Sequence, residues 1–182
     1  LSTQGEGGVA VGFLAGVYGQ NLYSVAVGQS AARIFQGSGS VAMGYNAASS
    51  RQGKYSVAIG WQAGQQTQGD SSVAIGKYTG RFTQGEYSVA IGQTAGRTRQ
   101  RENCVAIGNG AGEGSQGTAS VAVGAYAGKW SQGVACTAIG PNSGQTLQGN
   151  YSVSVGYRAG IISQHVDAIA IGKDAASRSQ ST

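Results

Sequence analysis

The chain has 182 residues, of which 33 are glycine, one is proline and only 10% are charged. Three Phe, two Trp and one Met cannot fill a wide hydrophobic core, so any interior must be thin and lined by Val, Ile and Ala. The net charge of +5 comes from scattered residues, without the basic stripe that nucleic acid would require. We expect no nucleic-acid partner, and no apolar stretch reaches the roughly 18 residues of a membrane span.

A 16-residue repeat runs through the sequence. Glycines recur every 16 residues from Gly12 to Gly172, and each closes a version of Val-Ala-Ile-Gly. A glutamine stands eight residues after each of these glycines, from Gln20 to Gln180, and Gln4 precedes the first. The unit reads Ser-Val-Ala-Ile-Gly, two variable residues, Ala-Gly, three variable residues, Gln-Gly and two further variable residues.

The first element of each unit is a predicted short strand, because Ser-Val-Ala-Ile alternates between two faces. In one unit, Val57 and Ile59 lie on one face, and Ser56 and Ala58 lie on the other. Stacked β-branched residues pack well on a sheet, so we expect the Val and Ile columns to form the core.

The second element is another short strand that ends at Gln-Gly, with glycine permitting the reversal of the chain at each turn. A unit of 16 residues is too short for a strand, a crossover helix and a return strand, which need about 30 residues. The sequence therefore predicts an all-β fold, a parallel β-solenoid of about eleven coils with two short strands per coil. Its length would be roughly 50 Å at the usual strand spacing.

The glutamine column is predicted to be a structural ladder rather than a ligand-binding array. Amide side chains one coil apart can donate to and accept from each other, as they do in cross-β stacks. The ladder residues are Gln20, Gln36, Gln52, Gln68, Gln84, Gln100, Gln116, Gln132, Gln148 and Gln164.

The alanine of each unit forms a column that stays small, although alternation points it away from the expected core. A neighbouring turn column varies freely, as a solvent-facing column should. We therefore predict that another copy of the chain packs against the alanine face. This predicted chain–chain interface comprises Ala26, Ala42, Ala58, Ala74, Ala90, Ala106 and Ala122.

Cys104 and Cys136 occupy the serine column, two coils apart. Their separation of roughly 9.6 Å exceeds the roughly 7 Å limit between Cα atoms for a disulfide, so they should not pair within the chain. They are interpreted as small-residue replacements, with a bond between chains left open. No Cys/His cluster has the spacing of metal ligands, and we expect no metal and no cofactor.

Enzymatic chemistry is not expected. The lone histidine, His165, lies at a turn, and the acidic column of Asp70, Glu86 and Glu102 is interpreted as a solvated stripe, or alternatively as a weak cation site. Aromatic and cationic residues gather instead in variable columns, where a ligand surface could form; the alternative is that they are ordinary turn residues. The candidates are Trp61, Arg81, Arg97, Lys129 and Trp130, with Tyr78, Phe82 and Tyr126 nearby.

The Ser-Val-Ala-Ile-Gly units resemble the head repeats of YadA-type trimeric autotransporter adhesins, over essentially all of residues 1–182. Clear instances are 56–60, 72–76, 88–92 and 120–124. The resemblance implies a left-handed β-roll, three chains packed side by side in a trimer, and binding to a host matrix protein such as collagen, or to host surfaces. The glutamine column and a period longer than the family's usual repeat are departures, and no neck, stalk or anchor is recognisable. Similar repeats occur in viral and phage fibres.

These observations predict a single repeat domain, cut from a longer fibrous protein, that works as an adhesive extracellular fibre or adhesin head on a cell or virion surface. Its expected partners are copies of itself, in a trimer or an end-to-end filament, and a matrix protein or glycan. A passive spacer or filament subunit is the alternative. An ice-binding solenoid is less favoured because the Thr-rich array expected there is missing.

Overall fold

The computed structural model describes residues 4–178, so Gln180 of the glutamine column lies outside the described residues. The described part is all-β, and no helix in it could cross a membrane. Its strands stack in parallel at intervals of 16 residues. The predicted parallel β-solenoid with two short strands per coil is therefore confirmed.

Two parallel sheets make up the solenoid, with strands numbered in chain order. The valine sheet has eleven strands: β1 (Val9–Val11), β2 (Val25–Val27), β4 (Val41–Met43), β6 (Val57–Ile59), β8 (Val73–Ile75), β10 (Val89–Ile91), β12 (Val105–Ile107), β14 (Val121–Val123), β16 (Thr137–Ile139), β18 (Val153–Val155) and β20 (Ile169–Ile171). The glutamine sheet has nine: β3 (Phe35–Gln36), β5 (Arg51–Gln52), β7 (Thr67–Gln68), β9 (Thr83–Gln84), β11 (Arg99–Gln100), β13 (Ser115–Gln116), β15 (Trp130–Gln132), β17 (Thr146–Gln148) and β19 (Ile162–Gln164).

The register aligns equivalent residues of successive coils. Ala58 of β6 pairs with Ala74 of β8, and Gln68 of β7 pairs with Gln84 of β9. Isolated bridges extend the glutamine column to Gln4 at the N-terminal end. Each column of the sequence is thus a column in space, and its residues share one environment.

The inner and outer faces of the valine sheet are the reverse of those predicted. Ala74 and Ala90 are fully buried, whereas Ile91 and Ile107 are 37% and 38% exposed. The prediction that the Val and Ile columns form the core is therefore wrong. The solenoid instead encloses the Ala, Ser and Gln columns.

The reason is the narrowness of the interior. The Nε2 of Gln84, on the glutamine sheet, donates to the carbonyl oxygen of Val73, on the valine sheet, at 2.8 Å. A methyl group added at Gly80 would meet Gln84 Oε1 at 2.9 Å and the Cβ of Ala74 at 3.3 Å. Such spacing leaves little room beside the alanine column, and overpacking a closed interior is destabilising.

The alanine column is consequently not a chain–chain interface. The seven alanines have no exposed surface even in the isolated chain, so no second copy could contact them. They stay small because the opposite sheet of the same chain packs against them. The corrected positions are Ala26, Ala42, Ala58, Ala74, Ala90, Ala106 and Ala122.

From Gly12 to Gly156, the glycine that closes each Val-Ala-Ile segment is required by two independent constraints. Gly92 has φ of 123°, a conformation that L residues rarely adopt. A Cβ there would also lie 2.7 Å from the carbonyl oxygen of Gly108 in the next coil. The backbone of each coil therefore rests directly on the backbone of its neighbour.

Replacing Gly92 by alanine should lower the melting temperature much more than replacing Gly172. Gly172 has a similar φ of 118°, but an added Cβ would meet nothing within 4 Å. Backbone strain of about 1–3 kcal/mol is common to both variants, whereas only Gly92→Ala forces two coils apart. Thermal unfolding followed by circular dichroism measures the difference. Equal losses would show that contact between coils is not what excludes a side chain.

Candidate functional site

The outer face of the valine sheet carries an apolar strip that runs along all eleven strands. Thr137 is the one polar residue of this strip, and no residue of the strip is charged. We call it the apolar strip; it comprises Val9, Val11, Val25, Val27, Val41, Met43, Val57, Ile59, Val73, Ile75, Val89, Ile91, Val105, Ile107, Val121, Val123, Thr137, Ile139, Val153, Val155, Ile169 and Ile171.

These side chains are half-buried or exposed in the isolated chain; Met43 and Ile139, for example, are each 41% exposed. Isolated soluble proteins seldom display contiguous apolar patches beyond a few hundred Å², so an uninterrupted strip of this length indicates a contact surface. The alternation in the sequence does not identify this strip, because β-branched residues are typical of a core. The small residues in every inward-facing column were the signal that could have revealed it.

The glutamine column connects the two sheets. In the coils of Gln20 through Gln100, each Nε2 donates to a valine carbonyl of the valine sheet and to the backbone of the serine column. Their Oε1 atoms have no hydrogen-bond partner. The predicted ladder between side chains is therefore wrong for Gln20, Gln36, Gln52, Gln68, Gln84 and Gln100.

Side chains of the later coils do bond to one another. Gln116 donates to Gln132 at 3.0 Å, Gln132 to Gln148 at 2.9 Å, and Gln148 to Gln164 at 3.1 Å. Ser154, the one serine in the alanine column of the described coils, joins this chain by accepting from Gln148 and donating to Gln164. Serine is therefore accommodated at position 154 of the alanine column because its buried hydroxyl has two amide partners.

Replacing Gln132 by leucine should destabilise the solenoid more than replacing Gln84. Gln84→Leu deprives two backbone carbonyls of a donor but also removes a buried unpaired Oε1. Gln132→Leu breaks bonds to both neighbouring glutamines, and each unpaired buried group costs about 1–3 kcal/mol. Chemical denaturation of the two variants gives the comparison. A larger loss for Gln84→Leu would contradict this account of the column.

Cys104 and Cys136 are free, fully buried thiols. Cys104 Sγ donates to the carbonyl oxygen of Gly117 at 2.9 Å, as Ser120 Oγ donates to Gly133 at 2.7 Å. Each thiol therefore replaces a serine hydroxyl in the same inward position. Because both lie inside the solenoid, a disulfide between folded chains is excluded.

Both thiols should stay unmodified by Ellman's reagent until the chain unfolds. Desolvation by burial raises the pKa of the Cys104 thiol, which lowers the fraction of reactive thiolate at a given pH. Cys104→Ser should leave stability nearly unchanged, because serine makes the equivalent bond elsewhere in this column. Rapid labelling of the folded protein near pH 8 would show that the column faces outward.

The predicted ligand residues divide into two places. Arg81, Arg97 and Lys129 share one column, with Glu113 between the last two, at 3.5 Å from Arg97 and 3.6 Å from Lys129. Trp130 lies beside Lys129, whose ammonium is 5.0 Å from the ring centroid. The structure thus brings together four of the five candidates.

Trp61 lies in a different column and stacks on Tyr45 with ring centroids 4.3 Å apart. Arg81 is held by the rings of Tyr78 and Phe82, at 5.1 and 4.9 Å from their centroids. Lys129 similarly lies over Tyr126. These contacts orient the cations along the surface, and binding of a ligand there stays a prediction.

The side chains of the acidic column do not gather into a cluster of metal ligands. Within residues 4–178, no group of three or more His, Cys, Asp or Glu side chains is placed to hold a metal ion. Asp70 instead accepts a hydrogen bond from the backbone N–H of Lys54 at 2.9 Å, a contact that joins two coils. His165 is exposed at its turn.

The fold and its columns define a parallel β-solenoid with a long apolar outer face. Residues 36–63, which span β3 to β6, match the YadA head domain repeat in two copies. The resemblance expected from the Ser-Val-Ala-Ile-Gly units is confirmed over that stretch, which carries the repeat of an adhesin-like head architecture. No curated protein and no solved structure matches the chain.

Proposed function

We propose that this chain is a rigid segment of an extracellular adhesive fibre, in which three copies pack side by side through the apolar strip. The apolar strip is the observation that carries the proposal. It would be covered along its whole length by neighbouring copies whose solenoid axes run parallel to one another.

Burial of the apolar strip supplies the free energy of association. Full burial of a Val or Ile side chain contributes about 1.5–3 kcal/mol, and these side chains are already partly covered within their own sheet. Each would therefore add on the order of 1 kcal/mol when a second copy covers the remainder. Summed over eleven strands, this gain can exceed the cost of bringing three chains together.

Parallel side-by-side packing follows from the regularity of the strip. Residues such as Val73 and Val89 follow each other at the strand spacing of about 4.8 Å, so equivalent coils of identical chains can meet at the same height around a closed symmetry axis. The match of residues 36–63 to the YadA head domain repeat favours three chains and an adhesive role at a cell surface.

Such an assembly would present the glutamine sheet and the turns to the outside. The exposed side chains of this sheet, such as Phe35 and Trp130, vary from coil to coil. The turns vary as well and include the Arg81, Arg97 and Lys129 column. A rigid, repetitive scaffold with variable turns suits the display of binding groups at fixed intervals. A matrix protein or surface glycan is the proposed partner.

Ile91→Glu should convert the trimer to monomers. The carboxylate would sit in the middle of the apolar strip, beside its equivalents in the other copies, where burying a charge without a partner is costly. Phe35→Glu is the matched control, because Phe35 is 57% exposed on the glutamine sheet. It should keep the trimer.

Light scattering coupled to size exclusion gives the mass of both variants and of the parent protein at micromolar concentration. A parent protein that is monomeric under these conditions would refute the proposal. So would an Ile91→Glu variant with the mass of an intact trimer.

A further inference from the structure

The outer face of the glutamine sheet holds a depression beside two arginines. Arg99 at the start of β11 and Arg101 just after it lie at one side. Ser115 of β13, Gly133 and Asn150 lie on the following coils, and the space between encloses about 220 Å³. A second depression of about 340 Å³ adjoins the same arginines on the opposite side, but Glu102 lines it.

One departure from the repeat places a cation at the border of this depression. Arg101 stands in the column that follows the glutamines, where neighbouring coils have Gly85, Gly117 and Gly133. The glycines carry no side chain, so the sheet surface stays open over these coils. The long cationic side chain of Arg101 therefore projects at the border of a surface where the neighbouring residues of this column carry no side chain.

The two arginines beside this depression are not held in ion pairs. Among the described residues, ion pairs form at Arg97, Lys129 and Arg158, but none includes Arg99 or Arg101. No carboxylate lines the depression beside Ser115 and Asn150. An anion seated here would meet two guanidinium groups, and the Glu102 carboxylate lies on their other side, outside this depression.

Polar groups on the opposite side add directed hydrogen bonds. Asn150 Oδ1 accepts from the backbone N–H of Val134 at 2.9 Å, so its Nδ2 remains as a donor. The Ser115 hydroxyl can donate and accept. Guanidinium forks match the two oxygens of a carboxylate or sulfate, and amide and hydroxyl groups suit the neighbouring hydroxyls of a sugar.

We infer that this depression binds the carboxylate or sulfate group of an acidic sugar, with Arg99 and Arg101 holding the anionic group. Nucleic acid fits less well, because no aromatic side chain lines the depression to stack a base. A peptide added as a strand would require a free sheet edge. The backbone here is already paired, Gly117 with Gln132 and Gly133 with Gln148.

The inference rests on the proposed adhesive function for its biological meaning, and it names the chemistry of the ligand. The depression lies on the glutamine sheet, whereas the apolar strip lies on the outer face of the valine sheet. It therefore stays accessible when three chains associate through the strip.

The test compares Arg101→Gly and Arg99→Gln with a matched control, Arg51→Gln. Glycine is the usual residue at the position of Arg101, so that variant should fold normally. Arg51 is exposed in the same column as Arg99, three coils away and outside the depression. All three variants lose one positive charge, so the control corrects for nonspecific attraction of a polyanion to a basic protein.

Binding is measured by isothermal titration calorimetry with dextran sulfate, polygalacturonate and neutral dextran at physiological salt. At least one acidic polymer should bind, and the comparison of sulfate with carboxylate identifies which anionic group is preferred. Neutral dextran should not bind. Loss of either Arg99 or Arg101 should weaken binding by about tenfold or more, as expected for a lost charged hydrogen bond. Arg51→Gln should retain the parent affinity.

The inference is overturned if the parent protein binds neither acidic polymer, or if Arg51→Gln weakens binding as much as Arg101→Gly. Light scattering of the same samples separates the two proposals. An intact trimer with unchanged binding in Arg101→Gly refutes the site alone. A monomeric parent protein whose binding is lost in Arg101→Gly refutes the trimer and supports the site.

Discussion

The hydrogen bond from each interior glutamine to a backbone carbonyl of the valine sheet sets the distance between the two sheets. At Gln84 this bond measures 2.8 Å, and it crosses the whole interior of the coil. In the described part of the chain, a solenoid so thin encloses small residues, namely Ala, Gly, Ser, Cys and Thr79, together with the glutamine amide itself. The glutamine amide is hydrogen-bonded through its Nε2, while small residues fill the remaining space.

The Val and Ile columns must then face outward, and this changes how the chain is stabilised. Ala methyl groups bury little apolar surface, so the interior of a single chain supplies a modest hydrophobic contribution beside the regular backbone hydrogen bonds between coils. Much of the large apolar surface remains on the apolar strip. In the proposed trimer, association would cover the apolar surface that folding of a single chain leaves exposed, so the two steps would be linked.

The architecture was predictable from the sequence because the period never varies, and 16 residues leave room for little besides two strands per coil. Which face of each strand points inward was not predictable, because the alternation at Val57, Ala58 and Ile59 defines two faces but does not say which of them is buried. The usual association of β-branched residues with a core then gave the wrong answer. Burial at Ala58 depends on how closely the opposite sheet approaches, which is a tertiary property. The hydrogen-bond partners of the glutamine column and the depression beside Arg101 likewise depend on neighbouring coils.

Cysteine substitution along β10 tests the central claim most directly, namely that the alanine face is interior and the valine face is shared between chains. In a chain whose own thiols are replaced by serine, Val89→Cys and Ile91→Cys should form cross-links between copies with a short bifunctional maleimide. Ala90→Cys should fold, by circular dichroism, and stay unreactive until the chain is denatured. Cross-linking through Ala90→Cys, with Val89→Cys and Ile91→Cys remaining unlinked, would contradict the account.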